Sequence, residues 1–202
     1  MPTKTNLGRS VALGALATVG ALAFAAPAHA AAPSAYTFTT TAQTSVTGLG
    51  ADFTLGPGEA KIQADLASGE VSSGTFTLPE ARSDFNMFGF LPTHAKVKIT
   101  QVGDIKGTLK DGAVDVTTKV NVQITQVGHF GIPIFDYPDC KTTKPADLHL
   151  TSKGAFDPAT GGTLTATYKL PEVSGCFIDT PVINFLTGGK DNPLTIKLAA
   201  AQ

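Results

Sequence analysis

The sequence predicts an antiparallel all-β fold. Apolar and polar side chains alternate strictly along Ala113–Val127, with valine or isoleucine at 114, 116, 120, 122 and 124. A period of two sends alternate side chains to opposite faces of a strand, whereas a period of 3.6 would scatter these valines around a helix. Nine further short segments of this kind occur along the chain, separated by Gly-, Pro- or Asp-rich turns. We therefore predict an antiparallel β-sandwich, with a closed or partly open β-barrel as the alternative.

The first thirty residues have the pattern of a signal peptide that forms a helix. Lys4 and Arg9 precede an apolar run over Val11–Ala26, and a small-x-small pattern ends at Ala30. The run is shorter than the ~20 residues that span a bilayer. We predict export, with cleavage between Ala30 and Ala31 and a secreted, extracellular product.

Residues 31–202 are predicted to form a single all-β domain. Loss of Lys4 and Arg9 leaves 13 basic residues against 16 acidic ones, and Arg82 is the only arginine that remains. A nucleic-acid interface needs a basic stripe that displaces counterions from phosphates, and no such stripe is visible. No apolar tail closes the chain, so we expect no integral membrane anchor in the mature protein.

The candidate strands share β-branched or aromatic residues at alternate positions and are bounded by turn residues. They are Tyr36–Thr41, Ala51–Leu55, Ala60–Leu66, Val71–Leu78, Ala95–Val102, Ala113–Val127, Asp147–Ser152, Thr163–Leu170, Val173–Ile178 and Leu194–Leu198. Gly56-Pro57-Gly58 is predicted to end the second strand. Ser68-Gly69 and Asp111-Gly112 predict hairpin turns. Pro181–Leu186 predicts one helical turn, stopped by the two glycines that follow.

The two cysteines, Cys140 and Cys176, both lie in the predicted mature chain. Two cysteines in an exported protein usually pair, because the compartment is oxidising. The bridge would close a long loop and stabilise the fold by about 4 kcal/mol in the chain-entropy model. A metal-binding or catalytic thiol would need a CxxC spacing or a nearby histidine, and neither is present.

The segment 83–92 breaks the alternation with a cluster of large apolar side chains. These are Phe85, Met87, Phe88, Phe90 and Leu91. We expect a loop that folds back and plugs one end of the core. The alternatives are a lid over an apolar pocket and an exposed contact patch.

The sequence predicts no catalytic residue, no cofactor and no metal site. His94, His129 and His149 are widely spaced and match no metal-ligand pattern. Neither a G-x-S-x-G elbow nor an S-x-x-K pair occurs. Asp136 and Asp139 could share a calcium ion, but the aspartate-rich loop typical of such sites is missing.

The whole layout resembles small secreted proteins of unknown function from actinobacteria. The shared features are the Ala-rich leader, P-D-C-x₄-P-A-D-L-H-L over Pro138–Leu150, Y-K-L-P-E-V-S-G-C over Tyr168–Cys176, and Asn192-Pro-Leu before the last strand. The hairpin Ala64–Gly74 also resembles one hairpin of secreted lipid-binding barrels of the YceI type. The first resemblance implies an exported all-β protein and no particular activity, and the second offers an analogy only.

These observations favour a secreted, non-catalytic cell-envelope or extracellular interaction protein. The alternative is an extracellular binder of a lipid or another apolar small molecule, with the Phe85–Leu91 segment at the mouth of its pocket. A second alternative is a hydrolase with an unrecognised site. It would require one of the three histidines within hydrogen-bonding reach of both an acid and a hydroxyl.

Overall fold

A computed structural model describes residues 33–201, together with Met1 and Thr3. The predicted signal peptide and its cleavage site at Ala30 and Ala31 lie outside the described residues. The strands are β1 Ser34–Val46, β2 Ala51–Asp65, β3 Glu70–Thr77, β4 Ala81–Met87, β5 Leu91–Lys110, β6 Ala113–His129, β7 Ile132–Asp136, β8 Lys141–Thr142, β9 Ala146–Ser152, β10 Gly161–Lys169, β11 Val173–Ser174 and β12 Asp191–Ala200. One α-helix, α1, spans Thr180–Thr187 after a 3-10 turn at Phe177–Asp179. No helix in this part of the chain is long and apolar enough to cross a membrane.

The strands form one antiparallel sheet, which confirms the all-β prediction. Eight strands pair in a closed sequence: β6 with β9, then β10, β12, β1, β2, β3 and β5, which returns to β6. The two facing layers expected of a sandwich are thus two halves of one continuous sheet. The inner sides of the two halves share a single apolar core. We call these eight paired strands the ring.

The ring is uneven, because two of its junctions are short. β9 and β10 share two residue pairs, and β3 and β5 share two pairs at Glu70 and Val71. The remaining half of the β5–β6 hairpin extends beyond the ring, where β5 pairs with β4 and β6 pairs with β7 and β8. This extension places two hairpin tips, at residues 88–90 and 130–131, side by side.

The burial of β6 follows the predicted alternation. Val114, Val116, Val120 and Ile124 are buried, and Thr118 is buried among them. Val122 is half-buried, since it lies where the strand leaves the ring. The Asp111-Gly112 turn joins β5 to β6 with both residues at positive φ, as predicted.

Several predicted boundaries are wrong. β2 is continuous through Gly56-Pro57-Gly58, because an irregularity in its register with β1 accommodates this segment without ending the strand. The segment 83–92 is a hairpin of β4 and β5, since its backbone groups pair in register from Ala81 to Met87. Strand β11 ends at Ser174, before Cys176, and a 3-10 turn and α1 follow, so that the predicted strand to Ile178 is too long.

A glutamine side chain completes the short β3–β5 junction. Gln101 accepts a hydrogen bond from the backbone N–H of Phe76 at 2.7 Å and donates one to the carbonyl of Gly74 at 2.8 Å. It also donates to the carbonyl of Gly103 at 2.6 Å. The amide thereby replaces the missing backbone pairing where β3 and β5 separate.

Replacing Gln101 by alanine is expected to lower the free energy of unfolding by about 1–3 kcal/mol. The backbone groups of Phe76 and Gly74 would lose their partner at a partly buried position. Urea denaturation measures the change. Gln43→Ala is the matched control, because this glutamine is exposed on β1, and we expect a change within about 0.5 kcal/mol. Equal losses in both variants would contradict this role for Gln101.

Candidate functional site

Two adjacent hairpin tips present large apolar side chains to solvent. Phe88 is 57% exposed and Phe90 76% at the β4–β5 tip, whereas Phe130 is 72% and Ile132 66% exposed at the β6–β7 tip. The tips are neighbours because β5 pairs with β6, and the N–H of Phe130 donates to the carbonyl of Pro92 at 3.0 Å. We call these four side chains the tip surface.

The backbone at the tips holds phenylalanine in an unfavourable conformation. Phe88 has φ 55° and Phe130 has φ 53°, and each is followed by a glycine at positive φ. Asparagine and glycine are the usual residues at such a φ, because they tolerate the left-handed region and a bulky side chain does not. A phenylalanine there costs about 1–2 kcal/mol. Strain of this kind persists at sites under functional selection, so we regard the tip surface as a candidate site.

An aromatic stack extends this apolar region toward the disulfide. The ring centroids of Phe135 and Tyr137 are 5.9 Å apart, and those of Tyr137 and Phe177 are also 5.9 Å apart. Tyr137 is buried, and its hydroxyl donates a hydrogen bond to Asp179. Burial, and then this hydrogen bond, raise the pKa of the Tyr137 hydroxyl well above its usual range. The hydroxyl therefore remains a donor that fixes the central ring of the stack.

The segment after Cys176 contributes further exposed apolar side chains. Phe177, Ile178 and Phe185 are exposed, and Phe177 also has a left-handed backbone, with φ 48°. The segment is held in place by the bridge from Cys140 to Cys176, whose Cα atoms are 4.5 Å apart, which confirms the predicted disulfide. Asn184 secures α1, because its side-chain amide bonds both backbone groups of Val173.

The tip surface carries no formal charge of its own. Residues 85–95 and 127–135 contain no Asp, Glu, Lys or Arg. Behind the tips, Arg82 donates two hydrogen bonds to Asp84, and this contact lowers the pKa of the carboxyl. Any contact that the tips make is therefore based on apolar area rather than on charge steering.

A buried histidine supports the base of the two hairpins. His94 lies on β5 opposite Gly128, and a Cβ at residue 128 would collide with its ring and with the carbonyl of Ile132. Its Nε2 atom is buried without a hydrogen-bond partner among the described residues. His94, Asp84, Asn86 and their neighbours line a pocket of about 280 Å³ with both polar and apolar walls. Glycine is required at position 128 because the imidazole occupies the space of a side chain.

The histidines of residues 33–201 make separate hydrogen bonds. His129 bonds the hydroxyl of Thr93 at 3.0 Å, and His149 bonds the carboxylate of Asp115 at 2.8 Å. No histidine among these residues makes hydrogen bonds to both an acid and a hydroxyl. No group of three or more potential metal ligands occurs in the same part of the chain.

The structure divides the predicted apolar segment into two sets. Phe88 and Phe90 are exposed, whereas Phe85, Met87 and Leu91 are half-buried. The expected plug is therefore wrong, because the two strands carry Phe88 and Phe90 away from the ring. The exposed side chains at 130, 132, 134, 135, 177, 178 and 185 were not predicted. The repeated Phe-Gly dipeptide at 88–89 and 130–131 is the signal that could have identified the second tip.

No protein-family model, curated protein or solved structure matches this chain. Its candidate site is therefore interpreted from the geometry alone.

Proposed function

We propose that this protein is an exported, non-catalytic interaction protein that binds an apolar surface of the cell envelope through its two hairpin tips. The observation that carries the proposal is the pair of exposed phenylalanines, Phe88 and Phe130, held at positive φ on adjacent tips. A large exposed apolar patch marks an interaction site more often than a free surface. Phenylalanine in a strained turn conformation that asparagine would fit better also supports an interaction site at the tips.

Export is part of the proposal. The leader pattern that ends at Ala30 supports it, and the buried disulfide between Cys140 and Cys176 is compatible with an oxidising compartment. The resemblance to secreted actinobacterial proteins agrees with this location and adds no activity. Binding at the cell envelope fits an uncharged apolar contact, because such a contact does not depend on ionic strength.

The double substitution Phe88→Asn and Phe130→Asn separates binding from folding. Asparagine suits the left-handed backbone at both turns, so we expect the free energy of unfolding to rise by about 1 kcal/mol. We also expect most of the cell-bound fraction to be lost, because the apolar contact area at the tips is removed. Cosedimentation of purified protein with cells of the producing organism measures binding, and urea denaturation measures stability.

Leu66→Asn is the matched control for this experiment. Leu66 is also an exposed apolar side chain, but it follows β2 at the end of the sheet where Leu109 of β5 bonds Gly69. We expect its cell-bound fraction to equal that of the unmodified protein. If the double variant sediments with cells as strongly as the unmodified protein does, the tips are not the binding surface. Mass spectrometry of the exported protein tests the export step, since cleavage after Ala30 leaves Ala31 at the N-terminus.

A further inference from the structure

The ring encloses an apolar cavity of about 140 Å³. Its walls come from inward-facing side chains of all eight ring strands, among them Phe38, Leu55, Val116, Leu150 and Leu194. Protein interiors rarely contain voids much larger than a water molecule. A ring of eight strands is just wide enough either to be filled by its own side chains or to hold one small ligand.

This cavity is separate from the tip surface. None of Phe85, Met87, Phe88, Phe90 and Leu91 lines it. The separate pocket beside Phe85 is lined by polar and apolar groups alike. Binding inside the ring is therefore independent of the proposed binding by the tips.

The size of the cavity limits the ligand. Drug-sized and lipid ligands occupy pockets of roughly 300–1,000 Å³. An apolar cavity of about 150 Å³ is known to accept benzene. The ligand is thus a small apolar molecule rather than a complete lipid.

A buried hydroxyl inside the cavity has no hydrogen-bond partner among residues 33–201. Thr118 lines the cavity, and its hydroxyl oxygen is buried without a hydrogen bond among the described residues. In contrast, the hydroxyls of Thr44 and Tyr168 bond to each other at 3.1 Å. Thr118 lies between Val116 and Val120 on the buried face of β6. A valine would fit at this position without leaving a buried polar group unsatisfied. A buried, unpartnered hydroxyl at this point is suited to a polar atom of a ligand.

The short β3–β5 junction is one of the two places where the wall has only two backbone residue pairs. Phe76 of β3 and Ile99 of β5 both line the cavity and are only half-buried. Beyond Val71 these strands are joined by the side chain of Gln101 rather than by a backbone ladder. This junction gives a small molecule a route to the interior.

We infer that the ring binds a small apolar molecule, of about the size of an aromatic ring, that bears one hydroxyl or carbonyl group, and that Thr118 recognises this group. Phenol and benzene are suitable probes, because they differ by the single hydroxyl. Calorimetric titration of the purified protein measures the Kd of each. Both probes are expected to bind at a single saturable site.

One substitution tests whether the probes bind inside the cavity, and a second tests whether Thr118 recognises the hydroxyl of phenol. Ala42→Leu fills part of the cavity from β1 and is expected to weaken both probes at least tenfold. Thr118→Val keeps the shape and removes the hydroxyl. We expect it to raise Tm and to increase the ratio of the phenol Kd to the benzene Kd by up to about tenfold, since the loss is one hydrogen bond.

Ser83→Ala is the matched control for Thr118→Val. The Ser83 hydroxyl is also buried without a partner in the described part of the chain, but Ser83 does not line the cavity. Its phenol-to-benzene ratio should equal that of the unmodified protein. The inference is overturned if neither probe binds saturably to folded protein, or if Ala42→Leu binds both unchanged. It is also overturned if Thr118→Val leaves the ratio of the two Kd values unaltered.

Discussion

Replacing Val120 by aspartate is expected to prevent the protein from folding. Val120 is 4% exposed on the inner face of β6, and it pairs with Gln101 of β5 and with Ala146 of β9. The carboxylate would be buried among apolar side chains with no basic partner. We expect a loss of at least about 4 kcal/mol, which is a large part of the stability of a domain of this size.

The measurement is the circular dichroism spectrum and melting profile of the purified variant. Thr117→Asp is the control, because Thr117 is exposed on the outer face of β6 and lies opposite Lys106. We expect its stability to remain within about 0.5 kcal/mol of the unmodified protein. A folded Val120→Asp protein with an unchanged melting temperature would mean that β6 faces the other way.

Removing the disulfide by Cys140→Ala together with Cys176→Ala is expected to lower the free energy of unfolding by about 4 kcal/mol. The bridge joins residues 36 apart in sequence and so restricts the unfolded chain. Both cysteines are fully buried, and the carbonyl of Cys140 accepts a hydrogen bond from Ile124 at 2.9 Å. Loss of the bridge would therefore also loosen the attachment of the Phe177 segment to β6.

Urea denaturation with and without a reducing agent checks this expectation. Reductant should destabilise the unmodified protein by a similar amount and should leave the double variant unaffected. Removing both sulfurs avoids the effects of a lone thiol. Free thiols in the native protein, or equal denaturation midpoints for both proteins, would contradict the stabilising role of the bridge.

The sequence predicted the structure correctly where that structure depends on a single strand and the turn next to it. The alternation in Ala113–Val127 identified the buried face of β6, because the period of two depends only on neighbouring residues. Ser68-Gly69 and Asp111-Gly112 identified two hairpins, since these residues accept the backbone that such turns require. Pro181 identified the start of α1 for the same kind of reason.

The sequence predicted only one of the two hairpin tips that form the candidate site. Phe88 and Phe90 were identified as part of a possible contact patch, but their exposure depends on where β4 and β5 run relative to the ring. Phe130 was missed because Gly128–Cys140 contains two prolines and reads as irregular chain. The adjacency of the two tips results from the pairing of β5 with β6, which is a tertiary contact.

The sequence by itself determined the fold class, the faces of the strands and the pairing of the two cysteines. These properties follow from side-chain periodicity, turn chemistry and the oxidising compartment that the leader pattern predicts. Only the tertiary structure decided that the sheet closes into a ring, that a cavity remains inside it, and that strained phenylalanines lie on adjacent hairpin tips. The physical reason is that alternation assigns each strand an inner face but not a partner. Partners are chosen by packing between segments that are distant in sequence.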